Sequence, residues 1–321
     1  MTIILRIAAF CIAMFAATAF AQTYPNRFVR IIVPFPAGGP TDVMARLIGQ
    51  KLSEKLGQQF VVENIGGAGG NIGMGNAARA AGDGYTILFV SSSYVVNPSL
   101  YHKVPYDPDK DFVPITKAAG APNALIAHPS VPARSVQELV ALIKADPARF
   151  NIASPGIGTT PHLSIELFKQ AFGLDDLTVV PFGGGNPAIQ AVVAGHTPLS
   201  FQAVPPATAL IKEGKLHALA ITAAKRSSAL PDVPTFDELG TKGQEAETMQ
   251  GVLAPTGTPK EIVELLQREI AAILAAPDVR EKVLSLGFEP VGNTPAEFGV
   301  YINAEITKWR RVIEGAKIPK I

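Results

Sequence analysis

The chain has 321 residues, which is enough for two domains of ordinary size. Its 28 basic and 27 acidic residues nearly balance, which argues against nucleic-acid binding and against docking on an anionic membrane, because both need a basic surface. We therefore expect a ligand to be recognised by a local arrangement of groups rather than by the field of the whole protein.

Residues 1–21 have the pattern of a secretory signal peptide. Arg6 provides a short basic region, residues 7–20 are apolar, and residues 19–21 (Ala-Phe-Ala) form a small-x-small cleavage site. The apolar run is too short for a stable transmembrane anchor. We therefore expect cleavage, export to the periplasm and a mature protein that is not embedded in a membrane.

The only cysteine, Cys11, lies inside the predicted signal peptide. It follows Phe10, whereas the cysteine of a lipoprotein follows a small residue, so lipid anchoring is not expected. The mature chain then has no cysteine, which excludes disulfides, thiolate nucleophiles and zinc–thiolate sites and suits an oxidising compartment. We expect neither a metal nor a cofactor.

Strand-like and helix-like patterns alternate through the mature chain, which predicts an α/β fold with largely parallel sheets. The predicted strands are residues 28–35, 60–63, 85–90, 123–127, 150–153, 178–181, 199–202, 216–222 and 252–255. The predicted helices are residues 40–56, 71–81, 161–172 and 187–194, with three more beginning at Ser135, Thr258 and Thr294. Residues 91–122, rich in Pro and Asp, are predicted to be irregular.

Two α/β blocks followed by a helical return segment predict a two-lobed molecule whose first lobe is completed by the C-terminus. We expect lobe 1 to contain residues 22–125 and 248–321, and lobe 2 to contain residues 126–247. The chain would cross between the lobes near Leu125 and Val252, and these two crossings would form a hinge.

A strand, a glycine-rich turn and a helix start follow one another four times. The four turns are residues 36–41 (PAGGPT), 66–71 (GGAGGN), 154–160 (SPGIGTT) and 183–186 (GGGN). The first turn of a helix leaves backbone N–H groups without internal partners, and the helix dipole places partial positive charge there. Preceding glycines let an anion approach these groups closely. Two such turns in each block predict an anion site between facing lobes, although any single turn would also suit a tight bend without a ligand.

Several enzyme classes are disfavoured by what the motifs lack. Residues 73–78 match a loose G-x-G-x-x-A pattern, but serines rather than an acidic residue end the following strand, so a dinucleotide site is not expected. There is no P-loop and no G-x-S-x-G elbow. The five histidines lack metal-ligand spacing, and His162 is interpreted as capping or packing a helix start rather than as a base.

Two further features admit more than one interpretation. Asp42 and Arg46 are four residues apart on the first predicted helix, which favours an i,i+4 ion pair over a ligand role. Ser91 and Ser92 end a strand, where a hydroxyl facing the cleft is reasonable. Trp309 is expected to pack the last helix onto the first lobe.

These residues resemble the Bug-type, or TctC-like, periplasmic receptors of tripartite tricarboxylate transporters. The resemblance runs from about Tyr24 to Trp309 and includes residues 33–39 (VPFPAGG), 67–73 (GAGGNIG), 83–86 (DGYT), 154–158 (SPGIG) and 230–235 (LPDVPT). It implies a type II periplasmic-binding-protein fold, a small carboxylate held between two lobes, and a two-component membrane permease as partner. A monomer is expected.

The chain departs from the family pattern in the second lobe. A lysine common in the family is Gly183 here, an acidic residue is Pro198, and an aspartate after Leu199-Ser200-Phe201 is Gln202. A tryptophan before Gly251 is replaced at positions 249 and 250. These changes leave the identity of the ligand open.

We predict a non-enzymatic receptor in which turn amides of the two lobes hold a carboxylate. The predicted ligand-binding residues are Pro36, Ala37, Gly38, Gly39, Ser91, Ser92, Ser154, Gly156, Gly158, Thr159, Gly185, Asn186, Ala188 and Gln202. The alternatives are a sensor that signals to a membrane kinase and a hydrolase of the same shape, which would need a nucleophile such as Ser92 with a base.

Overall fold

The computed structural model describes residues 24–321, and the predicted signal peptide with Cys11 lies outside them. The strands are β1 (Val29–Val33), β2 (Phe60–Asn64), β3 (Thr86–Ser91), β4 (Phe112–Ala127), β5 (Asn151–Ser154), β6 (Thr178–Pro181), β7 (Leu199–Ala203), β8 (His217–Ile221), β9 (Glu247–Pro255) and β10 (Glu289–Pro290). The helices are α1 (Pro40–Leu56), α2 (Asn71–Ala78), α3 (Ser93–Leu100), α4 (Val136–Ala145), α5 (Thr160–Phe172), α6 (Gly185–Val193), α7 (Val204–Lys212), α8 (Lys260–Ala275), α9 (Pro277–Ser285) and α10 (Pro295–Gly315).

The long strand β4 joins the two halves of the sheet. The strand order is β2-β1-β3-β9-β4-β7-β5-β6, and β8 and β10 also pair with β4. β1 is parallel to β2 and β3, and β5 is parallel to β6 and β7, whereas β4 is antiparallel to all its neighbours. Two parallel sets of strands are therefore joined through β9 and β4, because β9 is antiparallel to β3 and β4, and β4 is antiparallel to β7.

Each half-sheet is covered by helices on both faces. In the first half, Ile31 packs among residues of α1 and α8, and its strand neighbour Ile32 packs on the other face with residues of α2, α3 and α10. In the second half, Phe201 belongs to the core under α4 and α5. The other face is covered by α6 and α7, where Ile189 and Val204 are buried. The predicted α/β organisation is confirmed.

The chain crosses between the halves where β4 changes partners. Pro122 pairs with Glu247 of β9, and the next residue, Asn123, pairs with Ala203 of β7. The return crossing runs beside it, because Thr222 donates its N–H to the Asn123 carbonyl at 2.9 Å and accepts the N–H of Ala246 on its own carbonyl at 2.9 Å. The two crossings are thus tied together by backbone hydrogen bonds.

The prediction of an irregular segment over residues 91–122 is wrong. This segment contains α3, which holds Pro98 in its interior, and the first two-thirds of β4. Sequence patterns miss this part of β4 because it is buried on both faces and made largely of small residues, so it shows no polar alternation. Pro114 adds a register shift next to it. The strand predicted from residue 123 therefore begins at Phe112.

Other differences are smaller. Helices α7 and α9 were not predicted, and both begin with prolines that read as turn residues in the sequence but occupy the first helical positions. The strand predicted over residues 252–255 begins at Glu247. Two of the three helix starts predicted at Ser135, Thr258 and Thr294 have side-chain caps: Ser135 accepts the N–H of Glu138, and Thr294 forms a full capping box with Glu297. The helix predicted from Thr258 begins after Pro259 without a side-chain cap. Trp309 is fully buried on α10 in the first half, as predicted.

Candidate binding site

A cavity of about 810 Å³ lies between the two halves of the molecule, at the starts of five helices. Its wall includes N-terminal residues of α1, α3, α5, α6 and α7, and it also takes in residues of β7 and β9. Each of these helix starts follows the carboxyl end of a strand, which is where parallel α/β sheets bind ligands. The glycine turns that the sequence singled out on the two lobes thus converge on one space.

The structure brings most of the predicted ligand-binding residues to this cavity. The cavity is lined by Pro36, Ala37, Gly38, Gly39, Ser91, Ser92, Gly158, Thr159, Gly185 and Gln202. Four predicted residues are not part of its wall: Ser154, Gly156, Asn186 and Ala188. Ala188 is fully buried in the core under α6, because it lies a full turn into the helix. Whether the lining residues hold a ligand stays a prediction.

The turn before α1 is held from behind by a buried carboxylate. Asp42 Oδ2 accepts the N–H of Gly38 at 2.8 Å and the Arg46 Nε–H at 2.9 Å. Its Oδ1 accepts the Nδ2–H of Asn64 at 2.8 Å, and the same amide group donates to the Phe35 carbonyl at 3.0 Å. The predicted ion pair of Asp42 with Arg46 is present. Gly38 has φ +82°, which a residue with a side chain adopts only with strain.

These contacts also set the charge state of Asp42. Burial alone would raise the pKa of its carboxyl group, but hydrogen bonds from Arg46, Gly38 N–H and Asn64 outweigh that effect and lower the pKa. Asp42 is therefore ionised, and the adjacent guanidinium compensates its charge. The Gly38 amide, one of the predicted ligand donors, already has a partner in this carboxylate.

The turn before α5 is likewise closed by its own side chains. Gly158 donates its N–H to Nδ1 of His162 at 3.3 Å, and the His162 N–H is capped by Thr159 Oγ1 at 3.3 Å. The Gly156 N–H is directed to Ser154 Oγ at 3.3 Å. Ser154 and Gly156 thus shape the turn from outside the cavity wall. His162 packs and caps the helix start, which is the role interpreted from the sequence.

His162 is neutral in this position. Burial, followed by the positive charge of Lys169, lowers its pKa to about 4. Because Nδ1 accepts the Gly158 N–H, the ring proton sits on Nε2, which lies 3.9 Å from Oε1 of Glu166. Burial also raises the pKa of the Glu166 carboxyl group. His162 therefore brings no positive charge to this side of the cavity near neutral pH.

Several backbone N–H groups on the cavity wall have no acceptor within residues 24–321. They include those of Ala37, Gly39, Thr41, Ile157, Thr160 and Gly185. They come from the starts of α1, α5 and α6, so both halves of the molecule contribute. Unpaired amides at helix starts are the groups that bind anions in proteins.

The side chains on the wall carry no formal charge. Within residues 24–321, no Lys, Arg, His, Asp or Glu lines this cavity. Its polar side chains include Gln202 of β7 and Gln250 of β9, each 1% exposed, and the Ser91 hydroxyl, which has no partner in the described chain. Thr160 and Thr248 join the two halves at its edge through hydroxyls 2.8 Å apart.

Ser92 is engaged in the fold. Its Oγ donates to the Glu247 carbonyl at 3.1 Å and accepts the Met249 N–H at 2.9 Å, which ties the end of β3 to the start of β9. A nucleophilic serine needs a base within hydrogen-bond reach, and both hydrogen-bonding functions of this hydroxyl are directed to backbone groups instead. The geometry therefore does not support the hydrolase alternative.

Sequence reasoning did not identify the contributions of β9 and α7 to the cavity. Thr248, Gln250, Pro205 and Pro206 line it. The β9 residues were missed because its start was placed five residues late, and the α7 prolines because they were read as loop. The two prolines at positions 205 and 206, directly after a predicted strand, are the sequence feature that would have placed another helix start here.

Among residues 24–321, no helix has the length and apolarity that a membrane crossing requires. The same residues contain no group of three or more His, Cys, Asp or Glu side chains arranged to hold a metal ion. The wall of the cavity between the two halves offers a ligand backbone N–H donors and neutral side chains.

Comparison with known proteins gives consistent matches along almost the whole chain. A family model described as "Tripartite tricarboxylate transporter family receptor" (TctC) matches residues 44–318. The protein BugT of Bordetella pertussis is 38% identical over 307 residues, which cover 94% of this chain and 94% of that protein.

Solved structures match in fold as well as in sequence. An R. palustris protein with adipate has a TM-score of 0.80 and 36% identity, covering 93% of this chain and 100% of the other. MatC from Rhodopseudomonas palustris, with bound malate, has a TM-score of 0.75 and 34% identity, covering 90% and 100%. These matches confirm the predicted two-lobed binding-protein fold.

Proposed function

This chain belongs to the TctC, or Bug-type, family of tripartite tricarboxylate transporter receptors, as its motifs predicted, and we propose that it is a periplasmic receptor for a small carboxylate. The observation that carries this proposal is a cavity with unpaired amides from three helix starts and no charged side chain. Adipate and malate are bound by two similar proteins, which supports the same ligand class here.

The free energy of such binding is adequate without a cationic side chain. Micromolar affinity requires about 8 kcal/mol, and one hydrogen bond to a charged group contributes roughly 1.5–3 kcal/mol. Four or five such bonds total roughly 6–15 kcal/mol, and the upper part of this range gives micromolar affinity after the cost of immobilising the ligand. The helix dipoles of α1, α5 and α6 add to it.

We assign the carboxylate to residues 36–41 of lobe 1 and to the starts of α5 and α6 of lobe 2. The donors to the carboxylate are then the N–H groups of Ala37, Gly39 and Thr41 on one side and that of Thr160 on the other, and the Gly185 N–H meets the rest of the ligand. Lobe 1 is proposed as residues 22–125 with 248–321, and lobe 2 as residues 126–247. Closure of the lobes would bring the two sets of donors onto one ligand.

We further propose that the receptor delivers its bound ligand to a two-component membrane permease. The signal peptide of residues 1–21 would place a monomeric protein in the periplasm, where the closed form meets the permease and no reaction is catalysed. Ligand uptake by membrane vesicles holding the permease should require this protein. A sensor for a membrane kinase would leave uptake unchanged.

The carboxylate site can be tested with a matched pair of glycines. Neither Gly183 nor Gly185 has a positive φ, and only Gly185 lines the cavity, whereas a Cβ on Gly183 meets open space. We expect Gly185→Asp to abolish calorimetric binding of carboxylates by placing a like charge among the donors, and Gly183→Asp to bind as the unmodified protein does. Equal binding by both variants would reject this site, and no binding of any carboxylate by the unmodified protein would reject the function.

A further inference from the structure

On lobe 2 the cavity wall carries a buried amide side chain, Gln202, and within residues 24–321 no charged side chain. We propose that Gln202 selects carboxylates whose other end carries a neutral group that both donates and accepts hydrogen bonds, a hydroxyl or a primary carboxamide. The inference rests on the proposed function and names its substrate class. It makes Gln202 the specificity-determining residue of lobe 2.

The orientation of the Gln202 amide is set by its neighbours. Ser200 Oγ lies 2.6 Å from the Ala153 carbonyl and donates to it, so its lone pair accepts the Gln202 Nε2–H at 2.8 Å. Both side chains are buried, at 0% and 1% exposure. Because the NH₂ end is held at Ser200, the carbonyl end, Oε1, is directed the other way.

That other direction is the cavity wall at α6. A Cβ placed on Gly185 would lie 3.4 Å from Gln202 Oε1, and both residues line the cavity. Within residues 24–321, Oε1 accepts no hydrogen bond, and it is accessible to solvent. An acceptor oxygen therefore lies beside the start of α6, where the Gly185 N–H has no acceptor in the described chain.

A ligand group that both donates and accepts a hydrogen bond fits these two polar groups. A hydroxyl or carboxamide gives a proton to Oε1 and a lone pair to the Gly185 N–H at once. A second carboxylate could use the N–H but would face the negative end of the Gln202 dipole, with no cation on the wall to balance it. A methyl group would leave both polar groups without partners.

The opposing possibility is that the start of α6 simply binds a second anion. The N–H groups of Gly185 and Asn186 both lack acceptors in the described chain, and a helix start favours negative charge. If α6 binds a second anion, a dicarboxylate would bind most tightly, and replacing Gln202 would not change the order of ligand affinities. The two accounts therefore predict opposite rankings.

Calorimetry with ligands of one chain length separates them. The probes are hexanoate, 6-hydroxyhexanoate, the monoamide of adipate and adipate, with a second series built on butanoate to allow for cavity length. We expect the hydroxyl and amide ligands to bind about tenfold more tightly than the methyl-ended ligand, and the dicarboxylate to bind no more tightly than the methyl-ended one.

Variants of Gln202 then test whether this side chain causes the preference for hydroxyl and amide ligands. Gln202→Met keeps the length but removes the acceptor, and we expect the tenfold preference to disappear while methyl-ended ligand binding persists. Gln202→Glu, which keeps an oxygen and adds charge, should weaken adipate binding further and favour 6-aminohexanoate. Gln244→Met is the control, because Gln244 is also buried but donates to Leu167 outside the cavity.

Each outcome has one meaning. If no carboxylate in either series binds, the proposed function itself fails, and this inference with it. If carboxylates bind but the dicarboxylate is tightest, or if Gln202→Met keeps the preference for donor groups, the function stands and the role given to Gln202 is wrong.

Discussion

The carboxylate of Asp42 accepts the backbone N–H of Gly38 at 2.8 Å, so the first turn of the cavity is held by an acidic side chain from its own helix. The side chain of Asp42 is only 3% exposed and pairs with Arg46 on the side away from the cavity. A negative charge at a helix start normally competes with an anionic ligand. Here its charge is compensated, and its effect is to fix the positions of the neighbouring amides.

Asp42→Ala should therefore weaken both the fold and the ligand site. Three donors, on Gly38, Arg46 and Asn64, lose their acceptor, and we expect the free energy of unfolding to fall by about 2–4 kcal/mol. Carboxylate affinity should fall about tenfold because the turn is no longer tethered. Urea denaturation and calorimetry measure the two effects.

Glu54→Ala is the control for Asp42→Ala. Glu54 lies on the same helix and is exposed, with contacts only to Gln50 and Lys51. Its replacement should change the free energy of unfolding by less than about 0.5 kcal/mol. If the two variants are equally stable and bind equally well, the tethering role of Asp42 is refuted.

Two adjacent serines should behave in opposite ways. The Ser92 hydroxyl joins the Glu247 carbonyl and the Met249 N–H, so Ser92→Ala should lower the free energy of unfolding by about 1–3 kcal/mol. The Ser91 hydroxyl has no partner in residues 24–321 and lines the cavity. Ser91→Ala should leave stability within about 0.5 kcal/mol and weaken carboxylate binding instead.

The same pair tests the hydrolase alternative. Thermal denaturation and ligand calorimetry on both variants, together with an esterase assay, decide between the roles. Esterase turnover that disappears only in Ser92→Ala would contradict the structural role given to this hydroxyl.

The sequence predicts where the cavity lies better than it predicts which atoms are free in it. Glycine turns and prolines at helix starts are local features, and they located the start of α1 and placed the starts of α5 and α6 within two residues. The partner of an amide depends on side chains a turn away. The four-residue spacing of Asp42 and Arg46 predicted their ion pair but not the bond to Gly38, because a carboxylate accepts more hydrogen bonds than one partner uses.

The missing part of β4 has a different cause. Residues near Ala119 are buried on both faces in the middle of the sheet, so neither alternation nor a run of large apolar residues marks them. The contribution of Gln250 to the cavity could not be predicted without this strand, because its pairing with Ala119 and Ser91 places it there. Sheet order is a property of the whole chain.

Replacing Gln250 should stabilise the protein and weaken ligand binding. Its side chain is 1% exposed and makes no hydrogen bond within the described chain, and its Oε1 is sealed from solvent. An unpartnered buried polar group costs about 1–3 kcal/mol. Gln250→Leu should therefore raise the free energy of unfolding of the ligand-free protein by about 1 kcal/mol or more, while carboxylate affinity falls about tenfold.

The control for Gln250→Leu is Gln244→Leu. Gln244 is buried but donates to the Leu167 carbonyl at 3.3 Å and lies away from the cavity. Its replacement should destabilise the protein slightly and leave binding unchanged. A loss of stability in Gln250→Leu would show that its amide has a partner in the ligand-free protein.

The last prediction concerns pH and follows from the buried imidazole at the start of α5. The pKa of His162 is about 4 in the folded protein against an ordinary value of 6.5. As the pH falls below about 6.5, the unfolded chain takes up a proton at this site and the folded protein does not. The stability that His162 contributes is therefore complete above about pH 6.5 and is lost progressively as the pH falls to about 4.

His162→Asn removes the titration and keeps an oxygen that can accept the Gly158 N–H. The linked loss for the unmodified protein is about 3 kcal/mol. Acidic groups other than the neighbouring Glu166 contribute equally to both proteins, so the difference between their urea-unfolding free energies reports on this site. The variant should lose less stability than the unmodified protein between about pH 6.5 and 4. Parallel curves would mean that the imidazole is protonated in the fold, and the Gly158 hydrogen bond to Nδ1 would then be excluded.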